Sequence, residues 1–143
     1  MTLALAGCAN QMSDDDVDAV RDSACALQYP LSAKASIGIG ERNPGKFWSI
    51  GPDVVKFSET LATTDGVGDV ADAYADFADM FPEKVDSTAV FQEDVDTFNG
   101  HMEAISKACE GNSDFEEPEV LEYPTDIEDR AYLQGVDSVE DVK

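Results

Sequence analysis

The stretch FQEDVDTFNGHMEAISKAC, Phe91 to Cys109, decides the architecture. Phe91, Val95, Phe98, Met102, Ile105 and Cys109 recur at spacings of 4, 3, 4, 3 and 4. That alternation puts all six on one stripe of an α-helix, as when a helix packs along its length on neighbours. A half-buried strand would instead alternate with period 2. Ser87 or Thr88 is the expected cap of this helix. Upstream, Val67, Val70, Ala71, Tyr74, Phe77, Ala78 and Phe81 form a second apolar face that ends at Pro82.

Further toward the N-terminus, Asn43-Pro44 reads as an N-cap followed by proline at the first helical position. The large apolar residues Phe47, Trp48, Ile50, Val54, Val55, Phe57 and Leu61 follow, with Gly51-Pro52 expected to break or kink the run. Residues 31–42 stay ambiguous, because Gly38 and Gly40 weaken a helical extension. Ser13 before Asp14-Asp15-Asp16 is a helix start, with carboxylates on the positive end of the dipole. Val17, Val20, Ala24 and Leu27 then recur at helical spacing, and Tyr29-Pro30 is the expected end of that helix. No β-alternation or repeat stands out. The fold class is all-α, a small bundle of about four helices.

The chain has 143 residues, the size of one domain, with 31 Asp plus Glu against 9 Lys plus Arg and a net charge of −22. That balance excludes nucleic acid as a partner, since affinity there comes from cations neutralising phosphates. Residues 110–143 hold 12 acidic groups against Arg130 and Lys143, with Pro118 and Pro124 among them. They read as an acidic, mostly disordered tail, within which residues 127–133 have the composition of a short helix.

Leu5-Ala6-Gly7-Cys8 resembles the lipobox of bacterial lipoproteins, where cysteine is lipidated and the chain is cut just before it. Small residues at Ala6 and Gly7 suit the signal peptidase, and Cys8 supplies the thiol. Only seven residues precede Cys8 and none is basic, so the basic start of such a leader is expected upstream of Met1. The resemblance implies a chain beginning at Cys8, held at a bacterial membrane by a lipid and lying outside the cytoplasm.

Three cysteines leave one unpaired in any disulfide scheme. Lipidation of Cys8 removes it and leaves Cys25 and Cys109 as the pair, each on or beside a core-facing stripe; two buried free thiols are the alternative. The expected organisation is a signal-peptide remnant over 1–7, a tether over 8–12, the bundle over 13–109 and the tail over 110–143.

Catalytic patterns are missing. His101 is the single histidine, lying off the apolar seam, so no two-histidine metal site can be written and none is expected. No Gly-x-Ser-x-Gly elbow, phosphate loop or dinucleotide fingerprint occurs, and no cofactor is expected. Asp65, Asp69, Asp72, Asp76 and Asp79, spaced 4, 3, 4 and 3, form a carboxylate face. It is either a solvated surface or a contact for a basic envelope or secreted protein or a divalent ion. Phe47 and Trp48 are either core or an aromatic anchor for a partner. The expected function is a lipid-anchored, extracytoplasmic, non-catalytic binding module. A soluble acidic interaction protein and a salt-adapted acidic protein are the alternatives.

Overall fold

The computed structural model describes residues 14–81, 89–111 and 115–143. Among them are seven α-helices, a terminal 3-10 turn and no strand. The helices are α1 (Asp14–Ala26), α2 (Gln28–Gly40), α3 (Pro44–Trp48), α4 (Gly51–Ala62), α5 (Asp69–Ala78), α6 (Gln92–Ala108) and α7 (Ile127–Gln134). The all-α bundle stands, and its four expected helices are α1, α4, α5 and α6. The stretch left ambiguous over 31–42 supplies most of a fifth long helix, α2.

Pro30 does not end a helix but begins one. α1 stops at Ala26, Leu27 keeps right-handed backbone angles, and α2 starts at Gln28 with Pro30 in its first turn. N–H groups there have no intrahelical acceptor, so proline loses no hydrogen bond. Gly38 is not a weakness in α2 either. A Cβ at that position would lie 2.7 Å from the backbone nitrogen of Phe47, so its hydrogen lets α3 close against α2. Asn43 caps α3 as its sequence predicts, its side chain accepting from the Lys46 N–H at 3.1 Å. α6 starts later than expected, at Gln92. Its first turn is fixed by the Asp94 carboxylate, which accepts the Phe91 N–H at 2.8 Å. Ser87 and Thr88 lie outside the described residues.

The core is largely aromatic. Phe57, Tyr74, Phe77, Phe98, Phe47 and Trp48 form a chain of ring contacts with centroids 4.9–6.3 Å apart. Most are edge-on or tilted, the arrangements favoured by the ring quadrupole. The predicted α6 seam faces inward, with Val95, Phe98, Met102, Ile105 and Cys109 all buried. Tyr74, wholly buried, donates its hydroxyl to the Ala24 carbonyl and so joins α5 to α1. Cys25 at the end of α1 is joined to Cys109 just past α6, with Cα atoms 5.9 Å apart. Buried Gln28 braces this corner, donating to the Cys25 carbonyl at 3.0 Å and accepting from the Ser106 hydroxyl at 2.8 Å. Arg21 adds a further tie, donating to the Val67 carbonyl at 2.6 Å and the Ala108 carbonyl at 3.3 Å. The second contact sets a cation on the negative end of α6.

The expectation of a mostly disordered tail over 110–143 is overturned for residues 115–143, which pack on the bundle. Leu121, Tyr123 and Leu133 are buried in the core. Their burial removes apolar surface from water, and hydrogen bonds from Asn99 and Ser32 to the arm backbone act in the same direction. Inside the arm, Asp126 caps α7 through the Glu128 and Asp129 N–H groups, and Gly135 ends it in the left-handed region at φ +68°. Mean composition misled because the sparse apolar residues fall where the bundle can receive them.

Candidate functional site

Lipidation at Cys8 falls outside the described residues, as does all of 1–13. Among the described residues no helix is long and apolar enough to cross a membrane.

The carboxylate face is real but uneven. All five aspartates are exposed. Asp65 lies in the turn before α5, not on it, because the helix starts only after Gly66 and Gly68, both at positive φ. Asp69 and Asp72 occupy the first turn of α5, where the helix dipole favours negative charge. Asp76 and Asp79 sit at the opposite end, where it does not. There they act on His101, which packs on the Phe77 ring with centroids 5.6 Å apart. His101 is half-buried at the α5–α6 contact, not the exposed residue its offset from the seam implied. Burial lowers its pKa below the ordinary histidine value, and attraction from Asp76 and Asp79 opposes that shift without cancelling it. Among the described residues no three His, Cys, Asp or Glu side chains are grouped to hold a metal ion.

The aromatic anchor is corrected. Phe47 is fully buried and Trp48 nearly so, and the Trp48 indole N–H donates to the Ala89 carbonyl at 2.9 Å. Both are core residues. The glycine and proline residues around them set a short helix against α2 and do not lift the rings to the surface.

The most organised surface feature is one the sequence did not disclose: the seam between α2 and α6, filled by residues 115–123. Asn99 on α6 grips the backbone of Leu121 from both sides. Its carboxamide donates to the Leu121 carbonyl at 2.8 Å and accepts the Leu121 N–H at 2.9 Å. Ser32 on α2 accepts the Glu119 N–H at 2.8 Å while donating to the Tyr29 carbonyl at 2.8 Å. Leu121 and Tyr123 turn inward, whereas Val120 and Glu122 are exposed, the in-and-out order of an extended chain. The Tyr123 hydroxyl donates to the Val90 carbonyl at 2.8 Å and receives the Gln134 amide at 3.1 Å. Gln134 in turn holds Lys143, accepting its N–H at 2.8 Å and donating to its carbonyl at 3.1 Å. Nothing in Asn99 or Ser32 as sequence marks them, since each is a common surface residue until the partner backbone is known.

Arg42 secures α7 from the bundle side. Its guanidinium lies 3.4 Å from the Asp129 carboxylate and 4.7 Å from the centre of the Tyr132 ring. An open hollow of about 440 Å³ adjoins the arm, lined in part by Ala131, Tyr132, Val136 and Val139. The arrangement as a whole holds residues 119–123 of the chain against the bundle.

No family model, curated protein or solved structure matches this chain.

Proposed function

We propose that the chain is a lipid-anchored, extracytoplasmic protein of a bacterial envelope that acts by binding rather than catalysis. The observation that carries the setting is the Cys25–Cys109 link. Disulfides persist in oxidising compartments, and this pairing leaves Cys8 as the odd thiol inside the Leu5-Ala6-Gly7-Cys8 lipobox. The binding role is supported by the exposed carboxylates of Asp65, Asp69, Asp72, Asp76 and Asp79, a surface suited to contact and not to catalysis.

The test is the intact mass of the protein from its native host, with membrane fractionation. The expected result is a membrane-bound chain that starts at Cys8 and carries a diacylglyceryl group. An unlipidated soluble chain that keeps Met1 overturns the anchor.

A second reading is favoured by the exposed carboxylates of Asp69, Asp72 and Asp76: an acidic surface that meets a basic envelope or secreted protein, or that reflects life in high salt. Binding to a basic partner weakens steeply as salt rises. Adaptation to salt shows instead as stability that climbs with salt.

A further inference from the structure

We propose that the hollow between α7 and the terminal 3-10 turn is a docking surface for a basic segment of another protein, one that seats an aliphatic side chain between two carboxylates. The inference rests on the binding role above and names its partner chemistry; it does not depend on the lipid at Cys8.

The first observation is an apolar patch left in solvent. Val120, Ile127, Tyr132 and Val139, all on residues 115–143, are four of the six large apolar side chains that are exposed among the described residues. Tyr132 and Val139, at 61% and 43% exposed, line the hollow of about 440 Å³ together with Ala131 and Val136. A single exposed apolar residue needs no account, whereas several around one concavity mark a contact surface. The second observation is that Tyr132 is held while exposed. The Arg42 guanidinium lies 4.7 Å from the centre of its ring and 3.4 Å from Asp129 on the same helix. A ring positioned before its partner arrives loses little freedom on binding, and tyrosine is a frequent anchor of interfaces.

The rim selects the occupant. Glu128 and Asp137 line the hollow, Glu140 and Asp141 follow in the 3-10 turn, and all four are exposed. Neither Glu128 nor Asp137 forms an ion pair with a described residue. The nearby cations are engaged elsewhere, Arg42 on Asp129 and Tyr132 and Arg130 on the Pro124 carbonyl. A second copy of a chain of net charge −22 is repelled from such a rim, as is an anionic lipid surface. Lysine or arginine on either side of an aliphatic residue fits it, the cations meeting carboxylates while the aliphatic group covers the apolar lining. The Asp69–Asp76 face offers charge without that seat, since no large apolar side chain of α5 is exposed.

The probe is the peptide acetyl-Lys-Lys-Leu-Lys-Lys-amide, with serine in place of leucine as its control. Each is titrated into the isotope-labelled full-length protein and followed by amide chemical shifts. The expected result is shifts centred on residues 128–139 and a leucine peptide bound at least about fivefold tighter than the serine one. Tyr132→Ser should remove that preference with the helical circular dichroism unchanged, because the side chain is mostly in solvent. Val139→Ser should act in the same direction, and folded variants that keep the preference refute the seat. Glu128→Gln with Asp137→Asn should weaken both peptides and flatten their salt dependence. Shifts confined to Asp69–Asp76 overturn the hollow and leave an acidic contact surface standing, so the two failures are told apart. Equal affinity for the two peptides overturns it, since charge alone is then read, and so does the lack of any shift at millimolar peptide. A dimer in sedimentation that Tyr132→Ser dissociates also overturns it, because a second copy then covers the patch.

Discussion

Breaking the Cys25–Cys109 link is the perturbation with the largest expected effect on the bundle. The bond spans 84 residues of sequence. Cross-linking over that length removes loop-closure entropy from the unfolded chain, and the chain-entropy model gives about 4.5 kcal/mol at 25 °C. Unfolding entropy near 60 °C is about 2.1 cal/mol/K per residue, or about 0.3 kcal/mol/K for a chain of this size. Division gives a fall in Tm of about 15 °C. Both sulfurs are fully buried, so the double variant Cys25→Ala/Cys109→Ala also removes packed atoms. The wild type melted with and without reductant isolates the covalent term, and the double variant should melt lower still. The assay is circular dichroism of the helical signal, beside a non-reducing peptide map. A map without the cross-link, or a reduced protein that melts within about 3 °C of the oxidised one, refutes the reasoning.

Gly38→Ala should destabilise by about 1–3 kcal/mol in urea titration despite alanine's better helix propensity, because the new methyl meets the backbone of α3. Gly40→Ala, where nothing lies within 4 Å, is the control and should cost nothing. His101 contributes a pH dependence whose sign follows from its lowered pKa. The unfolded chain takes up the proton first, so stability is fully present above the unfolded value of about 6.5 and is lost as pH falls toward the folded one. His101→Gln should flatten that limb in urea midpoints between about pH 7 and pH 5, and an unchanged slope refutes the assignment. Replacing Asp69, Asp72 and Asp76 by Asn should stabilise the fold at low salt by about 0.2–0.5 kcal/mol per relieved like-charge pair, offset in part by lost dipole contacts. The difference should fade by about 1 M salt, where the screening length is about 3 Å, and a triple variant less stable at low salt than the wild type contradicts it.

What could be read from sequence followed from periodicity. The spacing through Phe91, Val95, Phe98, Met102, Ile105 and Cys109 fixed both a helix and the face it buries, and the same stripe pointed Cys109 at Cys25. Asn43-Pro44 was legible because a cap acts within four residues. What escaped the sequence depended on partners far along the chain. Gly38 looked like a helix weakness until Phe47 was seen to occupy the space of its missing Cβ. Pro30 looked like a stop because the residue before proline disfavours helix, yet a first turn accepts it. Residues 115–143 looked unfolded because composition averages over a segment. Their docking rests on Leu121, Tyr123 and Leu133 and on Asn99, which is 22 residues away from Leu121. Cys8, the residue on which the lipid anchor rests, lies outside the described part of the chain.

The charge of the arm bears on how it is held. Residues 110–143 carry a net charge of −10, and the described residues 115–143 among them lie on a bundle that is itself acidic. Arg42 against Asp129 offers one exposed ion pair across that contact, and such pairs contribute only about 0–1 kcal/mol. Arg130 turns back on the arm, donating to the Pro124 carbonyl at 2.7 Å with its guanidinium 5.3 Å from the centre of the Tyr123 ring. It shapes the arm but does not attach it. Attachment must therefore come from burial of Leu121, Tyr123 and Leu133 and from the Asn99 and Ser32 hydrogen bonds, working against like-charge repulsion. Like charges near a surface repel by about 1 kcal/mol or more at 4 Å and are screened beyond about 10 Å at 0.1 M salt. Arm and bundle carry net charge of the same sign, so added salt should tighten the arm on the bundle, read as slower hydrogen exchange of the Leu121 amide. A basic partner on the Asp69–Asp76 face has the opposite salt dependence, so the sign of the salt slope separates the two surfaces.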